Sequence, residues 1–283
     1  MFKNSDLRPS PIAGQWYSGN AKQLAASVDQ FIDDAENPKF QGEIIAIIAP
    51  HAGHYYSGSV AGYAYKAIQG MNPDLVVIIS PMHQPYFESI LTSGHDAYET
   101  PLGFIPIDKK VTNELNSLLN SDLGYGMKSI RNDREHSIEI QLPFLQQSLS
   151  DEFSILPIML RDQSFNVTRT LGITLGKVLK TRKFLLVAST DLSHFYSQET
   201  AKTLDREMLM RIENFDPKAV LDAEDIGVGY ACGRGAVASV LWATKELGGD
   251  QVKILNYGTS GDISHDYQQV VGYGAAVIVK SKG

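Results

Sequence analysis

An unbroken apolar run at residues 44–49 ends at Pro50 and is followed at once by His51. A strand without polar alternation is buried on both faces, which is typical of parallel strands covered by helices on each side of a sheet. Ala52 and Gly53 then supply a turn of small residues that leads into a helix. Because open α/β sheets bind ligands beyond the carboxyl ends of their strands, His51 is predicted to lie where such a fold places a site.

Two further stretches repeat this arrangement. Residues 75–80 form a second apolar run, and His83 follows shortly after it. Residues 184–189 form a third run, which is followed by Asp191 and His194. If the three strands are parallel members of one sheet, their carboxyl ends meet at one edge and the three imidazoles converge there.

Helical and extended patterns alternate along most of the remaining chain. Helices are predicted at 20–36, from Ser57 or Ser59 to about 70, from Asp108 to about 119, at 138–149, 168–180 and 198–213, after Asp216 and Pro217, and at 234–247, and strands at 153–160, 252–257 and 270–279. At 138–149 the pattern allows a strand or a kinked helix, and the helix is preferred. Residues 84–107 are predicted as short extended pieces at the sheet edge. The whole pattern predicts an α/β fold with a mostly parallel central sheet flanked by helices, in one domain spanning 1–283 with an irregular surface arm at 1–19.

Composition limits the class of protein. Of the 283 residues, 43% are hydrophobic and 20% are charged, which is enough apolar material for a sizeable core. The net charge is −7 and basic residues form no run, so nucleic acid is not expected as the main partner. Cys232 is the only cysteine, which excludes an intrachain disulfide. The first residues lack the apolar core of a signal peptide and no apolar run approaches ~18 residues, so a cytoplasmic protein without membrane contact is expected.

The three strand-end histidines point to a metal site. Neutral imidazole is the commonest metal ligand in proteins, and a sheet holds ligands at its strand ends rigidly. Two or three such donors with open coordination positions are typical of a catalytic rather than a structural site. For any one of these histidines the alternative is a cap on its strand or a bond to a loop carbonyl. His54, His95 and His265 have no supporting pattern and are assigned to packing or to the surface.

Cys232 is a further candidate for a functional residue, because it is followed by glycine and arginine and lies just before a predicted helix. A thiolate at a helix N-terminus is stabilised by the helix dipole, and here by the nearby Arg234. Cys232 could therefore be a ligand, a nucleophile or a redox-sensitive group, or a small buried apolar side chain. As a nucleophile it would make the protein a cysteine-dependent hydrolase, since one histidine and an orienting group would complete such a site.

Proton transfer and charge recognition have their own candidates. Asp191 and His194 could form an acid–base pair in which the carboxylate orients the imidazole. His136 could reach the same pocket from the opposite segment, or else cap a helix. A non-catalytic binding module would instead hold an anionic peptide or metabolite with its arginines. The candidates for that role are Arg131, Arg134 and Arg234.

Six short blocks, in this order, resemble the Memo family. They are Ala-Pro-His-Ala-Gly at 49–53 with Tyr-Ser-Gly at 56–58, Ser-Pro-Met-His at 80–83, Asp-Arg-Glu-His-Ser at 133–137 with Leu-Pro at 142–143, Ser-Thr-Asp-Leu-Ser-His at 189–194, Cys-Gly-Arg at 232–234, and Thr-Ser-Gly-Asp at 259–262. Each block alone is short, but six in order are highly specific and cover the chain from about residue 40 onward.

The resemblance implies the fold of the class III extradiol ring-cleaving dioxygenases, which use non-haem Fe(II). It implies a pocket in which His51, His83 and Cys232 bind a transition metal, with iron(II) expected first and copper or zinc as alternatives. The dioxygenases have a carboxylate in the third place, so the thiolate departs from their facial triad. His194, beside Asp191, matches the acid–base histidine of those enzymes.

The same resemblance favours a metal-dependent redox or dioxygenase-like enzyme whose substrate, a small molecule or a peptide, is unknown. Bacterial and archaeal members often accompany a radical-SAM protein and a second partner protein, which implies the same partners for this chain. His54 stands where the family usually has tyrosine, and Gln84 where some members have a second histidine. Neither position is a proposed ligand.

Overall fold

The computed structural model describes residues 6–36 and 41–281. Within them the helices are α1 (Ala21–Asp34), α2 (His54–Ala67), α3 (Lys109–Leu123), α4 (Leu142–Ser148), α5 (Phe165–Leu179), α6 (Gln198–Glu213), α7 (Pro217–Asp225), α8 (Arg234–Glu246) and α9 (Gly261–Ser264). The strands are β1 (Leu7–Arg8), β2 (Glu43–Ala49), β3 (Leu75–Pro81), β4 (Ile90–Ser93), β5 (Ala97–Thr100), β6 (Gly103–Pro106), β7 (Lys128–Ile130), β8 (Ser154–Leu160), β9 (Phe184–Ser189), β10 (His194–Tyr196), β11 (Gln251–Thr259) and β12 (Val270–Lys280). Strands and helices alternate through most of the chain, as the sequence predicts.

The central sheet has the strand order β10-β12-β2-β9-β3-β8-β4-β7, and β11 pairs with β12. Its centre is parallel, because β2, β9, β3 and β8 are parallel neighbours. Strands β12 and β4 join this centre in antiparallel fashion. The α/β fold with a central sheet flanked by helices is therefore confirmed. The three strands that deliver His51, His83 and Asp191 lie side by side in the parallel centre.

Helices cover both faces of this sheet. Within β2, Ile47 belongs to the apolar cluster that contains α1, α2 and α4, whereas Ile48 belongs to the cluster that contains α3, α5 and α8. Every residue of β3 is buried, as expected for a strand covered on both faces. Burying one aliphatic side chain contributes about 1.5–3 kcal/mol, so the strand ends rest on a rigid base. No helix in the described part of the chain is long and apolar enough to cross a membrane.

The N-terminal segment is built into the fold. Strand β1 pairs in parallel with β5, and the β5–β6 hairpin completes a separate three-stranded sheet. Arg8 is only 1% exposed. The segment predicted as an irregular arm at 1–19 thus contains a short buried strand, because Arg8 finds carboxylate partners in the interior. Residues 1–5 of that prediction lie outside the described residues.

Local signals place the helix boundaries. Asp108 caps α3 by accepting the backbone N–H of Val111, and Asp216 caps α7 by accepting those of Lys218 and Ala219. At 138–149 the helix is confirmed, since a 3₁₀ turn at Glu139–Gln141 continues directly into α4. Helix α2 begins at His54, earlier than predicted, and has no side-chain cap.

Candidate metal centre

Three imidazoles meet at the carboxyl ends of the parallel strands. His51 follows β2, His83 follows β3, and His136 belongs to the loop before α4. Their candidate ligand nitrogens all lie within 4.8 Å of one another. The ring centroid of His51 lies 5.3 Å from that of His83 and 5.4 Å from that of His136. Neutral imidazoles this close together can hold one transition-metal ion.

His51 is the most deeply buried of the three. Its Nδ1 lies 3.0 Å from Oγ of Ser189, and its Nε2 lies 3.1 Å from Sγ of Cys232. Burial lowers the pKa of His51 well below its ordinary value, and the neighbouring His136 and His83 lower it further. The ring is therefore neutral near pH 7, which is the form that binds metals.

Glu135 organises the opposite side of the cluster. Its Oε1 accepts hydrogen bonds from Nδ1 of His83 at 2.9 Å and from the backbone N–H groups of His136 and Ser137. Burial alone would raise the pKa of Glu135, but its bonds with His83 lower that pKa well below the ordinary range. Burial opposes a charged His83, yet the same carboxylate raises the pKa of this histidine. Because Nδ1 of His83 is engaged, Nε2 is the nitrogen left for a ligand.

The third imidazole packs against a tryptophan. The ring centroid of His136 lies 4.1 Å from that of Trp16 and 4.9 Å from that of His83. Burial lowers the pKa of His136 to about 4, so this ring is also neutral near pH 7. A cavity of about 470 Å³ opens beside it. The residues that line this cavity are Pro11, Ile12, Gln15, Trp16, Arg134 and His136.

A buried arginine fixes the loop that carries His136. Arg8 donates to Oδ1 of Asp133 at 2.8 Å, to Oε2 of Glu139 at 2.7 Å, and to the carbonyl oxygen of Glu135 at 2.6 Å. Charge-assisted bonds of this kind are stronger and more directional than neutral ones. Through Arg8, β1 therefore holds both ends of the loop that orients Glu135 and His136.

Cys232 faces the other side of His51. Its Sγ accepts the backbone N–H of Asp191 at 3.3 Å, and Oδ1 of Asp191 accepts the backbone N–H of His51 at 2.7 Å. Burial raises the pKa of the Cys232 thiol, and the charge of Asp191 adds to this effect. Burial also raises the pKa of Asp191 to about 7, although its backbone hydrogen bonds oppose the change. Gly233 leaves no room for a side chain, since a Cβ there would overlap the carbonyl oxygen of Ser189.

His194 lies beyond Cys232 and outside the three-histidine cluster. The two residues share a cavity of about 200 Å³ with Leu192, Tyr196, Glu224, Tyr230 and Ala231. Burial lowers the pKa of His194, so its ring is neutral near pH 7 and able to accept a proton. Within the residues that the structure describes, no hydrogen bond joins the side chains of Asp191 and His194, and the carboxylate binds backbone N–H groups instead.

The structure brings together most of the residues predicted from the sequence. His51 and His83 meet directly, and Cys232 is in contact with His51. His136, predicted as an acid–base residue, lies with them as a third nitrogen donor. His194 borders the same region on the side of Cys232.

Four residues that support the cluster were not predicted from the sequence as site residues. Glu135 and Ser189 bind the ring nitrogens of two cluster histidines, Trp16 packs on the third, and Arg8 fixes their loop. Two of these had a local signal. Glu135 directly precedes a histidine, and Ser189 is the polar residue that ends the third apolar run. Arg8 and Trp16 belong to a segment without regular periodicity, and nothing in the pattern ties them to the site.

The fold and this cluster define an α/β protein with a histidine-rich site at the carboxyl ends of parallel strands. The profile of the family described as Memo-like protein matches residues 8–277. A MEMO1 family protein of Nitrosopumilus maritimus is 36% identical over 276 residues, which cover 95% of this chain and 98% of that protein. A MEMO1 family protein of Thermotoga neapolitana is 35% identical over 286 residues, covering 96% and 99% of the two chains. The chain therefore belongs to the Memo-like family.

A solved structure supports the fold. The uncharacterized protein JW3007 of Escherichia coli K12 matches with a TM-score of 0.56, covering 83% of this chain and 100% of that one. The two sequences are 12% identical, so the likeness concerns the fold alone.

Proposed function

We propose that this protein binds a transition metal at the histidine cluster and uses it in a redox reaction of the dioxygenase type. The observation that supports this most directly is the convergence of the ligand nitrogens of His51, His83 and His136 within 4.8 Å. Partners occupy Nδ1 of His51 and of His83, so Nε2 of each ring remains for an ion.

The donor set fits a metal of intermediate to soft character. Imidazole nitrogen suits iron, copper and zinc, and the sulfur of Cys232 adds a soft donor beside His51, whereas magnesium prefers oxygen. We propose His51, His83 and Cys232 as ligands, with His136 as a further nitrogen donor. Iron(II) is the first candidate, and copper and zinc are the alternatives. Because burial keeps His51 and His136 neutral near pH 7, no proton has to leave these two rings on binding.

The ion, when bound, supplies redox chemistry and polarises a molecule in its open positions. The residues of the chain hold and move protons beside it. The pKa of Asp191 is raised to about 7 by burial, so its carboxylate can hold or release a proton near neutral pH. His194 presents a neutral ring to the cavity that it shares with Cys232, where it can accept a proton. Trp16 packs against the ring of His136 and helps to hold it in place.

Metal analysis of protein purified without oxygen, combined with oxygen-uptake measurement, tests this proposal. We expect about one transition-metal ion per chain after anaerobic reconstitution, and its loss in His51→Ala. The matched control is His265→Asn, because His265 is an exposed histidine at the end of α9 and asparagine tolerates its φ of 59°. Wild-type protein that holds no more than trace metal would refute the proposal.

A binding role for the same pocket is the second candidate, and one observation favours it. Of the three arginines considered for anion binding, Arg131 pairs with Asp6 and Arg234 pairs with Asp225. Arg134 forms no ion pair or hydrogen bond within the described residues and lines the cavity beside His136. Its guanidinium is thus free to bind a carboxylate or phosphate. Titration with inorganic phosphate should show binding that Arg134→Gln removes and Arg131→Gln retains.

A Cys232→Ser variant separates the ligand role from that of a hydrolytic nucleophile. A ligand role predicts that the variant loses metal affinity, whereas a nucleophile role predicts that metal content is retained while hydrolysis stops. The raised pKa of Cys232 favours the ligand role, because a buried thiol becomes a thiolate readily only when a metal ion compensates its charge.

A further inference from the structure

A chain of buried polar side chains lies beneath the histidine cluster. Tyr65, on α2, is 0% exposed, as is Ser189 at the end of β9, and Gln141, just before α4, is 1% exposed. They come from three elements that are far apart in the sequence, and their polar atoms contact one another and His51. Polar groups this deeply buried need hydrogen bonds, so the contacts between them are specific.

The partners of Ser189 settle which atom donates in each bond. A serine hydroxyl has one proton to donate and two lone pairs. Oγ of Ser189 lies 2.6 Å from the carbonyl oxygen of Ser137, which can only accept, so the hydroxyl proton is used there. The bond from Gln141 at 2.8 Å must then be donated by its Nε2, and the contact with His51 at 3.0 Å must be donated by Nδ1–H of the histidine.

Two more contacts fix the orientation of the Gln141 amide. Its Nε2 also donates to the carbonyl oxygen of Pro50 at 3.0 Å, and its Oε1 lies 2.6 Å from the hydroxyl of Tyr65. If the amide were turned over, its oxygen would face the Pro50 carbonyl oxygen and both groups would lose their bonds. Tyr65, whose pKa burial raises well above its ordinary value, keeps its proton and donates it to Gln141.

The contact of the other ring nitrogen of His51, Nε2, is consistent with a proton on Nδ1. With the ring proton on Nδ1, Nε2 carries the lone pair and faces Sγ of Cys232 at 3.1 Å. A thiol can donate its proton to that lone pair, so the contact fits a ring that is protonated on Nδ1. Both ring nitrogens then have partners of the correct kind. The neutral side chain of free histidine favours the opposite tautomer, with its proton on Nε2, so the protein must impose this one.

We propose that Ser189, held by Gln141 and Tyr65, is a positioning residue that keeps the proton of His51 on Nδ1 and turns the Nε2 lone pair toward the metal position. This inference rests on the proposed metal-binding function. It extends that function from the ligands to a chain of three residues reaching α2. Partners that orient ligand histidines typically affect metal affinity about 10–100-fold.

Nitrogen NMR of metal-free, ¹⁵N-histidine-labelled protein tests the proposal directly. In the wild type we expect His51, assigned by its absence in His51→Asn, to show a protonated Nδ1 and an unprotonated Nε2. Ser189→Ala should shift this ring toward the Nε2-protonated form, and Tyr65→Phe should produce a smaller change in the same direction. Ser239→Ala is the matched control, because Ser239 is fully buried in α8 and its hydroxyl has no partner within the described residues.

Metal affinity, measured by competition with a chelator, provides the second readout. We expect it to fall about 10–100-fold in Ser189→Ala and to stay unchanged in Ser239→Ala. Ser189→Ala should also melt at a lower temperature, because the buried Ser137 carbonyl oxygen and Nε2 of Gln141 each lose a hydrogen bond, so affinity is measured where the variant remains folded. A wild-type His51 protonated on Nε2 would overturn the proposal, and so would a Ser189→Ala variant with wild-type tautomer and affinity. If the wild type binds no metal, the proposed function fails, but the NMR result still decides the role of Ser189. If Ser189→Ala does not fold, the wild-type spectrum and Tyr65→Phe decide it.

Discussion

Replacement of Arg8 by methionine is expected to destabilise the protein by about 3–5 kcal/mol. The guanidinium lies 2.8 Å from Asp133 and 2.7 Å from Glu139, and both acidic side chains are 0% exposed. Methionine fills a similar volume but leaves two buried carboxylates without their cation. It also leaves the carbonyl oxygen of Glu135 without its donor. Losing one partner of a buried pair costs this much because the remaining charge stays desolvated and unpaired.

Thermal or chemical unfolding of the metal-free protein measures this loss. For a chain of this size, 3–5 kcal/mol corresponds to a fall in the melting temperature on the order of 10 °C. Arg131→Met is the matched control, since Arg131 also pairs with an acidic residue of the N-terminal segment, Asp6, but is 53% exposed. Exposed pairs contribute about 0–1 kcal/mol, so this control should unfold close to the wild type.

The same variant should also weaken metal binding, because Arg8 holds the loop that carries Glu135 and His136. Chelator competition at a temperature where the variant remains folded separates this effect from the loss of stability. An Arg8→Met protein that unfolds within about 1 kcal/mol of the wild type would refute the reasoning, since it would mean that the two carboxylates do not need their partner.

Three further changes have defined outcomes. Glu135→Gln should lower metal affinity about 10–100-fold in chelator competition, because His83 loses its charged partner, while the exposed Glu213→Gln should not. The metal-free wild type should lose stability as the pH falls from 6.5 toward 4, because burial lowers the pKa of His54 to about 4 and only the unfolded chain takes up a proton there over that interval. The difference between the folded and unfolded pKa values of His54 corresponds to about 3 kcal/mol of unfolding free energy. Urea unfolding at pH 4.5 and 7.5 should show this loss of stability in the wild type but not in His54→Phe. An equal pH dependence of stability in both proteins would contradict the prediction. Cys232 in the folded, metal-free protein should react with iodoacetamide at least about tenfold more slowly than in urea, since burial raises its pKa, and equal rates would show an exposed thiol.

The architecture was predictable because its signal is local and repeated. The apolar runs at 44–49, 75–80 and 184–189 give three strands buried on both faces, and all three end within one residue of the predicted position. Helix capping by Asp108 and Asp216 could also be predicted from the sequence, since a cap depends on residues only two or three positions away. The early start of α2 was not predicted because the residue at its N-cap position, Gly53, has no side chain that could cap the helix.

The site was only partly predictable, since its geometry depends on contacts between distant segments. His51 and His83 follow strands, so the sheet topology places them together. His136 has no such strand, and its position depends on Glu135 and on Arg8, 127 residues before Glu135 in the sequence. A buried ion pair between such distant residues leaves no periodic signal. The sequence could therefore name His136 as a pocket residue but could not distinguish a ligand from a proton carrier.

The order of the proposed donors along the chain has a consequence for how a metal ion would be acquired during biosynthesis. When His51 and His83 have left the ribosome, Cys232 has not yet been synthesised. Strand β12, which pairs with β2, is also still missing. The proposed ligand set that includes Cys232 is therefore complete only when the last third of the polypeptide has been synthesised and has docked. Under the proposed function, loading of the full ligand set would therefore follow translation.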